Sequence, residues 1–172
     1  MNIISKFTIA SEEGLQILFA LRKAYIKEMY QNIIAENLLQ QYITEQTNHK
    51  NAILELNDLS TQMLTVFVDD IPVGYAITKQ VPPPEILKEY KVINYSSFYF
   101  LPNYNTEDVK ASLWNKCLSL TRSYQALWIE VLQQDPIIPY LQECGFTIEE
   151  SSSMQPFDQP SYIMVRWKKE NE

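Results

Sequence analysis

Glu130 is the only charge in the apolar run Ala126 to Leu132 (ALWIEVL). A carboxyl buried among such neighbours loses the hydration of its charged form, so its pKa rises and it can accept a proton near neutral pH. The competing expectation is an outward or hydrogen-bonded glutamate with no chemistry. A second region is Asn105 to Lys110 (NTEDVK). There Asn105 or Thr106 caps a helix that follows directly on a strand, and N–H groups at such a helix start attract anions. Glu107 and Asp108 suit the helix dipole in that first turn but oppose an anionic ligand. Tyr95, Tyr99 and Tyr104 offer aromatic, partly polar surface suited to lining a small-molecule pocket. His49, the single histidine, falls in a polar helix end and reads as solvated surface. Cys117 and Cys144 lie in apolar, helix-like contexts and read as buried reduced thiols. No metal-ligand cluster, nucleophile triad or phosphate loop stands out, and three glycines in 172 residues leave none for a glycine-rich loop.

The elements that must position these groups follow from patterning. Ile3 to Ile9 reads as a strand, and Ser11 caps a helix with an apolar stripe running to about Tyr30. A second helical stretch starts near Ala35 and resumes at Ala52 to Leu56. Met63–Val68 and Val73–Thr78 read as a hairpin turning at Asp69-Asp70-Ile71-Pro72. Pro82-Pro83-Pro84 opens a loop, and Val92 to Leu101 is a long aromatic strand. An amphipathic helix runs from Asn105 to Tyr124 and is followed by the Glu130 strand. Pro136 to Cys144 is a short helix ended by Gly145, and Phe146–Ser151 and Ser161–Trp167 are the last strands. The order β-α-α-β-β-β-α-β-α-β-β predicts an α/β (α+β) fold with a mixed, mostly antiparallel sheet flanked by helices. One parallel pair is joined by the Asn105–Tyr124 helix.

Composition bounds the function. A hydrophobic content of 46% and a charged content of 20% fit one globular domain, taken as residues 1–168 with a solvated tail at 169–172. A net charge of −7 argues against nucleic acid and against an anionic membrane surface as partners. No segment reaches transmembrane length and no leader is evident, so a cytoplasmic location is expected.

Three segments resemble the GNAT superfamily of acyl-CoA N-acetyltransferases, in matching order over essentially the whole chain. Phe67 to Ala76 (FVDDIPVGYA) is similar to that family's strand–turn–Val-Gly-Tyr element. Tyr99 to Tyr104 (YFLPNY) resembles the strand end before its cofactor loop. Trp128 to Val131, followed by Tyr140 to Phe146 (YLQECGF), resembles its next strand and its helix ending in Gly-Phe. The resemblance implies acetyl-CoA as acyl donor and a small-molecule or peptide amine as acceptor. Backbone groups at Phe98 and Phe100 would hold the cofactor, together with a loop formed by Asn105, Thr106, Asp108 and Lys110. It implies Gln134 at a pantetheine-contacting position, Glu130 as base, and Tyr140 as the acid for the leaving thiolate. Asn105 stands where the family has Arg or Gln, Asp108 and Lys110 stand where it has glycine, and the count back from Gly145-Phe146 puts Leu141 at the acid's place. An alternative is therefore a GNAT-fold protein without catalysis that binds a small molecule or a protein partner. A homodimer through the Tyr162–Trp167 strand or an apolar helix face is compatible with either.

Overall fold

A computed structural model describes residues 1–172. Seven strands form one sheet in the order β1-β2-β3-β4-β5-β7-β6. They are β1 (Ile3–Thr8), β2 (Thr61–Val68), β3 (Ile71–Lys79), β4 (Val92–Phe100), β5 (Ala126–Leu132), β6 (Thr147–Met154) and β7 (Gln159–Trp167). The helices are α1 (Glu12–Tyr30), α2 (Glu36–Gln46), α3 (His49–Asn57), α4 (Glu107–Leu120) and α5 (Ile138–Glu143). The expected mixed α/β fold is present. The second helical stretch, however, is two helices, because the chain breaks at Thr47 and the Asn48 side chain caps α3 by accepting from the Asn51 N–H at 2.9 Å. The chain forms two compact units, residues 1–77 with 97–117 and residues 78–96 with 118–172.

In the first unit, β1 pairs antiparallel with β2 from Ile3↔Val68 to Thr8↔Met63. The β2–β3 turn has Asp69 and Asp70 at φ 47° and 67°, the left-handed pair of a type I′ hairpin. One sheet face buries Met63, Tyr75, Ile77 and Tyr99 against Leu15, Leu18 and Leu21 of α1. Leu15 and Leu18 belong to the stripe read from the sequence, and Leu21, outside that reading, joins them. On the opposite face Ser5 and Ser112 of α4 share a hydrogen bond of 2.8 Å, and Phe98 packs edge-on against Phe100 and Trp114. Gly74 permits the close approach of β3 and β4. A Cβ there would lie 2.7 Å from a Phe100 ring atom and 2.8 Å from the Tyr99 carbonyl oxygen.

In the second unit, β4 and β5 pair in parallel from Val92↔Ala126 to Tyr95↔Ile129, as a strand–helix–strand crossover requires. β7 pairs with β5 along one edge and with β6 along the other. Both edges of β7 are thereby used from Ser161 to Val165, so that stretch has no open edge for a second copy. α5 ends in a Schellman turn: Gly145 adopts φ 96°, its N–H donates to the Gln142 carbonyl, and the Phe146 N–H donates to the Leu141 carbonyl, each at 3.0 Å. The tail expected to be solvated is anchored at one point, where Glu172 reaches Arg166.

Candidate functional site

In the first unit, the backbone from β4 to α4 runs through a 3₁₀ turn at Pro102–Tyr104. Asn105, at φ −80° and ψ 54°, forms an inverse γ-turn in which the Thr106 N–H donates to the Tyr104 carbonyl at 2.9 Å. Thr106 occupies the cap position, because its carbonyl accepts the first helical bond, from the Lys110 N–H at 3.0 Å. The N–H groups of Glu107, Asp108 and Val109 then form the open first turn of α4. No residue from 105 to 110 has positive φ, so this turn is built without the conformations that only glycine favours. The Glu107 and Asp108 side chains are exposed, whereas Lys110 is half-buried. Phe98 and Phe100, with ring centroids 5.5 Å apart, are both buried core residues, so their side chains are not exposed to a ligand.

The same unit holds a polar cluster that sequence reading missed. The Tyr99 hydroxyl donates to Glu28 of α1 at 2.6 Å, and the Tyr25 ring stands edge-on to Tyr99 at 5.4 Å. Arg22 grips Glu55 of α3 through both terminal nitrogens, at 2.9 and 3.3 Å, and donates to the Gln46 carbonyl at 3.2 Å. Burial alone would lower the Arg22 pKa, but the Glu55 charge and hydrogen bonds outweigh it and leave the guanidinium above its ordinary value. Tyr75 is pushed up by complete burial, opposed by Arg22 and by a Ser97 hydrogen bond. The signal was present, because Arg22, Tyr25 and Glu28 recur at three-residue steps along the inner side of α1. Their partners in α3, β3 and β4 were invisible in the sequence.

In the second unit, Glu130 is half-buried, and the fully buried Ser161 donates its hydroxyl to the carboxylate at 2.6 Å. This is the hydrogen-bonded glutamate of the second expectation rather than a carboxyl sealed in apolar surroundings. Trp128 lies on the same strand face, and its buried indole N–H has no acceptor in the protein. Gln134 sits in the exposed turn after β5. Asp135 beside it is buried and accepts from the Ile137 N–H at 2.9 Å, which fixes the entry to α5. Tyr140 is half-buried on α5, whereas Leu141, at the position expected for an acid, is core. Neither cysteine is in a disulfide; Cys117 is buried, and Cys144 is only half-buried.

No protein-family model matches the sequence, and no curated protein matches it either. Solved structures do. PaiA N-acetyltransferase from Thermoplasma acidophilum, determined in complex with coenzyme A, superposes with a TM-score of 0.78 at 16% identity, over 98% of this chain and 100% of that one. The chain has the GNAT fold. A GCN5-related N-acetyltransferase from Rhodopseudomonas palustris matches with a TM-score of 0.71 at 14% identity, over 98% and 97% of the two chains. An acetyltransferase from Streptococcus agalactiae matches at 0.66 and 14%, over 96% and 98%. No helix of the GNAT-fold chain is long and apolar enough to cross a membrane.

Proposed function

We propose that the chain is an acetyl-CoA-dependent N-acetyltransferase, cytoplasmic, acting on a small-molecule or peptide amine. The observation that carries this reading is the open first turn of α4 directly after β4, on a fold shared with N-acetyltransferases. Three consecutive N–H groups and a helix dipole suit a pyrophosphate, and Lys110 adds a cation. The backbone fits the donor, while the charges of Glu107 and Asp108 weaken its hold. Asn105 and Thr106 set the entry angle of the helix, and the backbone at Phe98 and Phe100 supplies strand-type hydrogen bonding to an extended ligand arm. When bound, the donor supplies an acyl group already activated as a thioester.

The protein's own residues then have to deliver a neutral amine. Glu130, with one oxygen held by Ser161, keeps its other oxygen for a proton taken from the ammonium, directly or through water. Glu28, set against Tyr25 and Tyr99, is suited to attract a cationic acceptor. Attack of a positioned amine on a thioester draws mainly on orientation, so the buried Leu141 at the acid's place does not preclude turnover. Gln134 is available to the donor's amide arm.

Calorimetric titration with acetyl-CoA at low salt, joined to thiol release in the presence of di- and polyamines, tests this. Binding with release of CoA is expected, and Glu130→Gln should abolish release while leaving binding intact. No heat up to millimolar acetyl-CoA would replace this reading with a GNAT-fold protein that binds another ligand.

A further inference from the structure

The second unit contains a cavity of about 430 Å³, within the size range of small-molecule sites. Its lining shares no residue with Glu130, Gln134 or Tyr140. Three cations, Arg122, Arg166 and Lys168, line it with one carboxylate, Glu172. In a chain of net charge −7 this is a local reversal of sign. Arg166 sits in the interior strand β7, only 5% exposed. Its Nε donates to the Cys144 carbonyl at 2.8 Å, which fixes the plane of the guanidinium. Its Nη2 is held by the Glu172 carboxylate at 2.5 Å. Leu118, Ala126 and Leu127 give the same cavity an apolar wall.

We propose that this cavity binds a small carboxylate with an apolar body, and that Glu172 occupies the carboxylate position on Arg166 until such a ligand displaces it. With Nε held by the Cys144 carbonyl, Nη2 is the donor that meets a carboxylate, and an N–H of a charged guanidinium to a carboxylate oxygen is among the strong hydrogen bonds. An inorganic anion would leave the apolar wall unused. Glu172 is tethered only six residues beyond Arg166 and competes as a local carboxylate at an effective concentration of order millimolar. The apparent affinity for an outside ligand falls in proportion to the fraction of molecules in which the position is open.

The test uses the full chain and its Glu172→Gln variant, titrated calorimetrically with benzoate, with benzamide as the uncharged isostere and with inorganic phosphate. Benzoate is expected to bind the variant about tenfold or more tightly than the parent if the tail holds Arg166 at least nine-tenths of the time. Benzamide and phosphate should bind neither form measurably. Arg122→Ala in the Glu172→Gln background should weaken benzoate severalfold, and a single cooperative melting transition confirms that both variants fold. Equal benzoate affinity for parent and Glu172→Gln, equal binding of benzamide and benzoate, or no benzoate binding to either form would each overturn the proposal. Phosphate binding in place of benzoate would reassign the site to inorganic anions and overturn it equally. Acetyl-CoA binding is expected to be the same in parent and Glu172→Gln, so failure here leaves the acyltransfer reading intact, and the converse also holds.

Discussion

Replacing Asp108 by Asn removes one of two carboxylates from the open first turn of α4 while keeping its size. The change is expected to move two observables in opposite directions. An acidic residue beside a helix N-terminus contributes about 0.3–1 kcal/mol through the dipole, so the variant should be less stable. For a chain of this size that lowers the melting temperature by about 1–4 °C. A pyrophosphate on the N–H groups of residues 107–109 would lie within about one helical turn, roughly 6 Å, of the residue 108 carboxylate. Two unit charges at that separation repel by about 3 kcal/mol at an effective dielectric near 20. Screening over a Debye length of about 8 Å halves this at physiological salt, leaving roughly tenfold in affinity. Asp108→Asn should therefore bind CoA about tenfold more tightly at 0.15 M salt, and by a wider margin at low salt. Calorimetry at two ionic strengths and a thermal melt read both quantities. Where the parent is too weak to fit, the variant is expected to enter the measurable range. Unchanged or weaker CoA binding would refute the placement of an anion at this turn.

Gly74→Ala should cost about 1–3 kcal/mol in urea unfolding, because its Cβ falls 2.7 Å from Phe100 and 2.8 Å from the Tyr99 carbonyl; an unmoved midpoint contradicts that packing. Glu55→Leu strands the Arg22 guanidinium and is expected to cost toward the lower end of about 3–5 kcal/mol, both partners keeping some hydration. The double change Arg22→Met with Glu55→Leu should recover most of it, and additive losses in a double-mutant cycle argue against coupling. Glu172 is held below its ordinary 4.5 by the Arg166 hydrogen bond, burial opposing and Lys169 assisting. A lowered folded-state pKa places the tail contact's contribution above the unfolded value and removes it as pH falls through the folded one. An NMR titration of the Glu172 carboxyl should thus find its midpoint below 4.5, and a midpoint at or above that value would exclude the contact.

Much of the strand–loop–helix unit was legible in the sequence because its signals are local. Alternation and aromatics mark β4, Pro102 stops it, and acidic residues after Thr106 start α4. The parallel β4–β5 pair followed from the helix between them, and Gly145 announced the Schellman turn that ends α5. The chain's three glycines also ruled out a glycine-rich loop in advance, and the turn from Asn105 to Lys110 uses no positive φ. What the sequence could not determine depends on which elements become neighbours. Nothing near Glu130 in the chain predicts that Ser161, 31 residues later, will donate to its carboxylate. Tyr99 finds Glu28 across 71 residues, and Arg22 finds Glu55 across 33. Tyr162–Trp167 reads as readily as an edge strand as an interior one until β6 is seen to pair beside it. Arg166 reads as an ordinary strand charge; only the Cys144 carbonyl and the returning Glu172 show it to be a buried, partnered cation beside a cavity. Local propensity set the elements, whereas long-range contacts set the burial and charge environment of the groups that would do chemistry.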